Sequence, residues 1–384
     1  MNFEFATAAR IVFGKGTAGQ APKLAADMGR RALVVIGKDV SRVQGLLGNL
    51  KQQGVAASVF QVVQEPTTDI AGKGIDQARQ DQCDLVIGFG GGSVLDTAKA
   101  VSAMLTNDGD LFDYLEVIGG GKKISRRSAP TIAIPTTAGT GTEVTRNAVL
   151  ASPSHRVKVS MRSPLMLPHV ALVDPELTYS MPPSVTANTG LDALTQVLEP
   201  YVSHRANPMV DALCREGLRR AARSLRQAYA DGSDTAARED MAVTSLFGGL
   251  ALANAGLGAV HGFAGPIGGM FSAPHGAVCA RLLPVVMEAN VAALKERSPN
   301  SPALARYDEI GRILVGDGAA RAADGVDWVR RLADELKVYP LATYGISAAD
   351  VPLVVEKASA ASSMKANPIK LSAEELAEVL RRAL

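Results

Sequence analysis

Six short, nearly continuous apolar runs, at 11–14, 32–37, 57–63, 84–90, 131–135 and 170–174, alternate with amphipathic stretches at 16–28, 41–53, 67–82 and 94–105. Runs of this length without polar alternation read as strands buried on both faces. Strand–helix alternation then points to an open, doubly wound, mostly parallel sheet. After Pro182 the β-branched runs fade, and Ala, Leu, Glu and Arg at helical spacing take over. Helices are predicted at 184–203, 208–228, 236–255, 275–294, 301–315, 320–336, 348–358 and 372–384. The predicted fold is therefore an α/β N-terminal domain (1–180) followed by an all-α C-terminal domain (181–384). At their boundary, in YSMPPS, prolines stop the chain and serine caps the next helix.

The chain has 384 residues, enough for two separate cores. Its 40 basic and 38 acidic residues leave a net charge of +2, with no polybasic face for nucleic acid or a membrane surface. The one local basic cluster, Lys122, Lys123, Arg126 and Arg127, reads as a solvated loop. The three cysteines are far apart and form no CxxC pair, which suits free thiols in a reducing, cytoplasmic setting. No secretory leader pattern is expected at the N-terminus. Residues 246–271 carry no charge apart from His261 and are long enough to span a bilayer. Their many glycines, Asn254 and Pro266 favour a tightly packed buried helix and loop instead.

The run at 84–90 leads directly into GGGSVLDTAKA, residues 90–100. Bare glycine backbone at a helix start lets a pyrophosphate approach the amides. Ser93 is read as the helix N-cap, with Asp96 three residues on in a capping-box arrangement. The segment is neither GxGxxG nor a Walker loop. A second loop, PTTAGTGTEVT at 135–145, also follows an apolar run and concentrates hydroxyls and glycines. Two such loops at strand ends predict a nucleotide crevice at the sheet's carboxyl edge.

A metal site is suggested further on. Asp192 and Gln196 lie four apart, on one face of a predicted helix. His261 and His275 sit in a segment almost without charge, HGFAGPIGGMFSAPHG. One carboxylate and two imidazoles suffice to hold a divalent cation with a position open to substrate. Taken singly, Asp192 also reads as a first-turn carboxylate, His261 as a satisfied core histidine and His275 as a helix cap. Cys279, four residues past His275, could add a soft ligand, but a cysteine in an apolar run is ordinarily a small core hydrophobe and is read as one here. His155, His169 and His204 are read as surface or structural residues.

GGGSVLDTAKA, PTTAGTGTEVT, GLDALTQVLEPYVS and GAVHGFAGPIGGMFSAPHG resemble, in order and spacing, the signature segments of the iron-containing (group III) alcohol dehydrogenase family. The likeness runs over nearly the whole chain. It implies a nucleotide-binding α/β domain and a helical domain, with NAD or NADP in the cleft between them. By the same resemblance, Gly91, Gly92 and Ser93 would bind the pyrophosphate. Asp96, Thr136, Thr137, Thr140 and Thr145 would surround the nicotinamide half, with Lys158 nearby. Asp192, His261 and His275 match three of the family's four metal ligands. The implied activity is metal-assisted (Fe2+ or Zn2+) hydride transfer between the nicotinamide and a small alcohol or aldehyde, by a homodimer or larger homo-oligomer.

The sequence departs from the family pattern in three places. Gln196 stands where a histidine is usual, and its amide oxygen is a weak, hard donor, so Gln196 is expected as a fourth ligand or an outer contact. Gly265 replaces a further histidine carried by some members. Gly37 occupies the position of an aspartate that holds the adenosine ribose in NAD-dependent members, with Lys38 beside it and Asp39 as a substitute carboxylate. The expected consequence is use of NADPH at least as well as NADH.

Without a metal, His261 or His275 would have to act as general acid, as in a maleylacetate-reductase-like reduction of a keto acid, with Arg146 and Arg281 as candidate anion clamps. A dehydroquinate-synthase-like lyase would need several basic residues that the Gly-, Ala- and Thr-rich motifs lack. A non-catalytic relic would bind cofactor without turnover. GFAGPIGGMF, with Phe263, Met270 and Phe271, suggests an apolar pocket for aliphatic or aromatic alcohols.

Overall fold

In the strand Arg31–Ile36, Leu33 and Val35 point to one side and Ala32, Val34 and Ile36 to the other, and both sides are buried. A strand with no wet face needs helices above and below it. The structure, a computed structural model describing residues 2–384, supplies them. The strands are β1 (Arg10–Phe13), β2 (Arg31–Ile36), β3 (Ala56–Gln61), β4 (Leu85–Gly90), β5 (Thr131–Pro135), β6 (Asn147–Ser152), β7 (Val157–Arg162) and β8 (Val170–Val173). Six of them form one parallel sheet in the order β1-β8-β5-β4-β2-β3. Helices α1 (Ala21–Met28) and α2 (Gln44–Gln52) bury Ala21, Ala25 and Leu50 on one face. Helices α3 (Thr68–Gln80) and α4 (Gly92–Thr106) bury Ala71, Ile75, Ala98 and Val101 on the other.

The chain passes from β2 to β3 at one edge, returns to β4 on the far side of β2, and continues to β5 and β8. The winding direction therefore reverses between β2 and β4, whose last paired residues are Ile36 and Phe89. Such a reversal leaves a crevice beyond the carboxyl ends of the two strands. Gly37 follows β2 and Gly91 follows β4, so both flank it.

Two features of this unit differ from the sequence reading. The predicted helices at 16–28 and 41–53 each begin as a 3-10 turn, Thr17–Gln20 and Val40–Val43. An antiparallel hairpin, β6–β7, was not predicted; it buries Ala148, Leu150, Val159 and Met161 beside α4 and leaves its other face wetter.

The chain divides into two compact units: 6–137 with Gly141–Thr178, and Tyr179–Leu384 with Ala138–Thr140 and a short N-terminal stretch ending at Phe5. The second is helical: α5 (Pro183–Val202), α6 (Pro208–Ala230), α7 (Thr235–Ala255), α8 (Ala259–Met270), α9 (His275–Arg297), α10 (Pro302–Val315), α11 (Ala322–Glu335), α12 (Val351–Ala360) and α13 (Ala373–Ala383). Pro182 precedes α5 with no side-chain cap bond, so the serine cap read from YSMPPS does not form; two consecutive prolines fix the entry instead.

Helix α5 is the centre of this unit, with every residue from Gly190 to Val202 buried. Its neighbours approach closely because they offer glycine. A Cβ on Gly217 of α6 would lie 2.7 Å from Val197, and one on Gly248 of α7 would lie 2.9 Å from Gln196 Cβ. The uncharged 246–271 segment resolves into the end of α7 and all of α8, bent by 98°. Gly256, at φ 73°, makes the break that a side chain would strain. Helix α9 is long and apolar enough to cross a membrane, but 78% of its apolar window is buried within the fold, as in a core helix.

Candidate functional site

Beyond β4, Gly91 takes an extended conformation as N-cap and α4 begins at Gly92. No side chain caps this helix, and Val94 N and Leu95 N turn back to Gly91 O, which leaves the amides at Gly92 and Ser93 to face an anion. Ser93 is thus the second helical residue and not the N-cap, because three glycines let the helix start earlier. The predicted capping box also fails. Asp96 lies a turn inside α4, where its carboxylate pairs with Lys99 Nζ at 3.2 Å. Burial pushes the Asp96 carboxyl up and the Lys99 ammonium down, each opposed by the other's charge.

Lys99, which sequence reasoning passed over, ties this helix to the threonine loop. Its Nζ donates to Thr142 O at 3.0 Å and Thr145 Oγ1 at 2.9 Å. Thr136 N donates to Gly90 O at 3.0 Å, and Thr137 lies against Gly91. Thr136 and Thr145 are buried; Thr137 and Thr140 are half-buried. Glu143 in the same loop is buried with no partner for Oε2, and burial, against the pull of a backbone hydrogen bond and Lys99, moves its carboxyl up to about 7. Lys158 on β7 is engaged with Glu65 at 2.8 Å.

At the end of β2, the Cβ direction of Gly37 meets no atom within 4 Å. Lys38 and Asp39 are exposed. Asp39 Oδ1 accepts from Ser41 N at 3.0 Å and Ser41 Oγ at 2.6 Å, capping the following turn. Those hydrogen bonds hold its carboxyl below the usual range. Asp39 therefore already has partners where the sequence offered it as a ribose acceptor.

The helical unit brings together Asp192 of α5, His261 of α8, and His275 and Cys279 of α9. One ligand atom from each lies within 4.8 Å of all the others. Asp192 Oδ1 is 3.3 Å from His261 Nε2 and 3.8 Å from His275 Nε2. Cys279 Sγ is 3.8 Å and 3.7 Å from the same two nitrogens. Asp192 Oδ1 is buried and accepts no hydrogen bond of acceptable geometry.

Glu199, also on α5 and not singled out in the sequence, takes His261 Nδ1 at 2.7 Å with one oxygen and Val260 N at 2.8 Å with the other. That bond leaves Nε2 of His261 directed at the cluster. Gly258 makes room, since a Cβ there would lie 2.8 Å from Glu199 Oε1.

Burial resists charge here but is outweighed. Asp192 is held down by the neighbouring imidazoles of His275 and His261. His261 and His275 are raised, chiefly by negative charge at Cys279 and by Asp192. A buried cluster that retains a carboxylate and draws protons onto imidazoles favours positive charge at its centre, which a divalent cation supplies while displacing those protons.

The model of the iron-containing alcohol dehydrogenase family matches residues 8–175, and that of the family's C-terminal region matches residues 186–384. The chain belongs to the iron-containing alcohol dehydrogenase family. It is 36% identical over 363 residues to a 1,3-propanediol dehydrogenase of Klebsiella pneumoniae, covering 92% of each chain. The crystal structure of a 1,3-propanediol oxidoreductase superposes with a TM-score of 0.92 at 32% identity over the full length of both chains. A sulfoacetaldehyde reductase of Bifidobacterium kashiwanohense, solved with NAD+, gives 0.86 at 27% identity over 99% of this chain and 98% of that one. As a member of the iron-containing alcohol dehydrogenases, the protein is an oxidoreductase that couples an alcohol and its carbonyl product to a nicotinamide cofactor.

Within this alcohol dehydrogenase, three sequence expectations need correction. Phe263 does not line a pocket; it is fully buried in the helical core, where the apolar face of α8 must be covered. Met270 and Phe271 are half-buried against that core. Arg281, offered as an anion clamp, donates to Ala383 O at 3.3 Å and is tied to the C-terminal helix. Arg146 lies half-buried just before β6. The keto-acid alternative is not favoured, because relatives are alcohol and propanediol dehydrogenases.

Proposed function

We propose that the protein oxidises small apolar alcohols, or reduces the corresponding aldehydes, with a divalent metal held by Asp192, His261 and His275. The observation that carries this reading is Asp192 Oδ1, a buried acceptor without a hydrogen-bond donor, 3.3 and 3.8 Å from two imidazole nitrogens. When bound, the metal polarises the substrate oxygen as a Lewis acid and the nicotinamide accepts or returns the hydride.

The chain's own residues set the conditions for that transfer. Asp192 places a negative charge under the cation, and Glu199 fixes the ring of His261. The His275 side chain is 34% exposed, against 6% for His261, which makes it the open side of the cluster. Gly265 on α8 meets nothing within 4 Å of its Cβ direction, leaving room for a substrate side chain. On the cofactor side, Gly91, Gly92 and Ser93 offer helix-start amides to the pyrophosphate. Thr136, Thr137, Thr140, Thr145 and Asp96 are the proposed surroundings of the nicotinamide half, with Lys158 beside them.

The pattern after β2 supports NADPH as a cofactor used at least as well as NADH. Gly37 presents no carboxylate to repel a 2′-phosphate, Lys38 is exposed next to it, and one oxygen of Asp39, Oδ1, is taken up by Ser41. Three free, buried thiols support a reducing, cytoplasmic setting. A homo-oligomer rests on family resemblance alone.

The test is metal content of the purified protein together with turnover of a panel of aldehydes before and after chelation, with each cofactor. Loss of turnover on chelation and recovery on adding Zn2+ or Fe2+ is expected. Metal-free protein with undiminished turnover would overturn the metal role, and a kcat/KM for NADPH far below that for NADH would overturn the cofactor reading.

A further inference from the structure

We infer that Cys279 is a member of the metal-binding set, so that the site offers one carboxylate oxygen, two imidazole nitrogens and one thiolate sulfur. The inference rests on the reading that this cluster holds a divalent metal, and it specifies the ligands and hence the class of metal.

The geometry can be compared with what a tetrahedral ion requires. With metal–nitrogen and metal–oxygen bonds of about 2.1 Å and a metal–sulfur bond of about 2.3 Å, a tetrahedron has O···N edges of ~3.4 Å and S···N edges of ~3.6 Å. The O···N edges here are 3.3 and 3.8 Å, and the S···N edges are 3.8 and 3.7 Å. Each residue presents one and the same atom to both neighbours, as a ligand set must. These four of the tetrahedron's six edges match to within a few tenths of an ångström, and the remaining two are no longer than 4.8 Å.

The position of Cys279 follows from α9. His275 is the first residue of that helix and Cys279 lies four residues on, so both project from one face onto the same point. Cys279 is fully buried, yet both of its polar neighbours are imidazole nitrogens of the cluster. Cys83 and Cys214 are buried as well, and neither joins a cluster able to hold a metal ion among the described residues.

Gln196 is buried in the helix that carries Asp192. It lies one turn from Asp192 on α5, and its Oε1 is buried without a hydrogen-bond partner. Its oxygen packs toward Gly248, 3.4 Å from the position a Cβ would take there. A donor set that includes Cys279 is softer than a carboxylate–imidazole set, and thiolate selects Zn2+ and similar borderline ions over harder ones. Substrate oxygen would enter as an additional ligand, an expansion zinc accepts.

The experiment uses the full-length protein, stripped of metal and titrated with CoCl2. Wild type and Gln196→Ala are expected to show a near-ultraviolet thiolate-to-cobalt charge-transfer band that is absent in Cys279→Ser and Cys279→Ala. Cys83→Ser and Cys214→Ser should retain it. X-ray absorption of the zinc form should show one sulfur scatterer at about 2.3 Å. Should Cys279→Ser fold poorly, the absorption measurement on wild type alone decides the matter. Cobalt bound without the band, or a band that survives in both Cys279 variants, overturns this inference and leaves the metal reading intact. No cobalt bound at all overturns both.

Discussion

Glu199 Oε2 accepts the Nδ1 proton of His261 at 2.7 Å, and the same carboxylate takes Val260 N at 2.8 Å. One side chain thus sets both the tautomer of the imidazole and the start of the helix that carries it. Glu199→Gln puts an amide NH2 opposite one of these two donors. If that donor is Nδ1, the ring must move its proton to Nε2 and lose its ligand lone pair. Metal affinity should fall about 10- to 100-fold, measured as zinc competition against a chromophoric chelator. An unchanged affinity would remove Glu199 from the site.

Gly37→Asp introduces a carboxylate where no atom lies within 4 Å, so the fold should tolerate it. The new charge accepts hydrogen bonds from ribose hydroxyls and repels a 2′-phosphate. The ratio of kcat/KM for NADPH to that for NADH should drop at least about tenfold, a change of ~1.4 kcal/mol in relative transition-state binding. A constant ratio would mean that this turn does not touch the adenosine ribose.

Glu143 gives a pH prediction with a definite sign. Burial raises its carboxyl from 4.5 to about 7, so the folded chain holds this proton more tightly than the unfolded one. The resulting stabilisation is complete below pH ~4.5 and is lost as pH rises through ~7, about 3 kcal/mol in all. Glu143→Gln removes the ionisation. Its urea midpoint relative to wild type should therefore rise between about pH 5 and pH 8, and parallel midpoints across that range would exclude the effect.

Two glycine substitutions should separate packing from pocket. Gly248→Ala drives a methyl to 2.9 Å from Gln196 Cβ, and such overpacking costs about 1–3 kcal/mol. It should lower both Tm and zinc affinity, because α5 must shift. Gly265→Ala meets nothing within 4 Å and should leave Tm nearly unchanged while raising KM for the bulkier aldehydes of a panel. Equal Tm losses in the two variants would contradict this assignment of space.

The sequence made the parallel sheet legible because its strands are buried on both faces and written as unbroken apolar runs. The β6–β7 hairpin escaped because β7 alternates apolar and polar residues, VKVSMR, and β6 offers only the short apolar stretch AVLA, with small Ala148 as one of its inward positions. Helix α8 escaped for another reason: four glycines and Pro266 in twelve residues argue against a helix on propensity, and only packing around Phe263 forms it. At the site, the spacing of Asp192 and Gln196 was visible, and so was that of His275 and Cys279. That Cys279 Sγ meets both imidazole nitrogens was not, since only the packing of α8 against α9 brings the two histidines together. Glu199 and Lys99 were missed because their partners are distant in sequence or lie in another loop.

Helix α5 is buried without interruption from Gly190 to Val202, and Asp192, Gln196 and Glu199 all project from it. Its neighbours grip it through glycine contacts that leave no slack. A rotation of about 10° about its axis would carry atoms at its ~5–6 Å rim through about 1 Å, enough to misalign a reacting group by orders of magnitude in rate. The apolar packing around this one helix therefore acts as the alignment stage of the chemistry, and a methyl group lost on its far side should be felt in turnover as well as in stability.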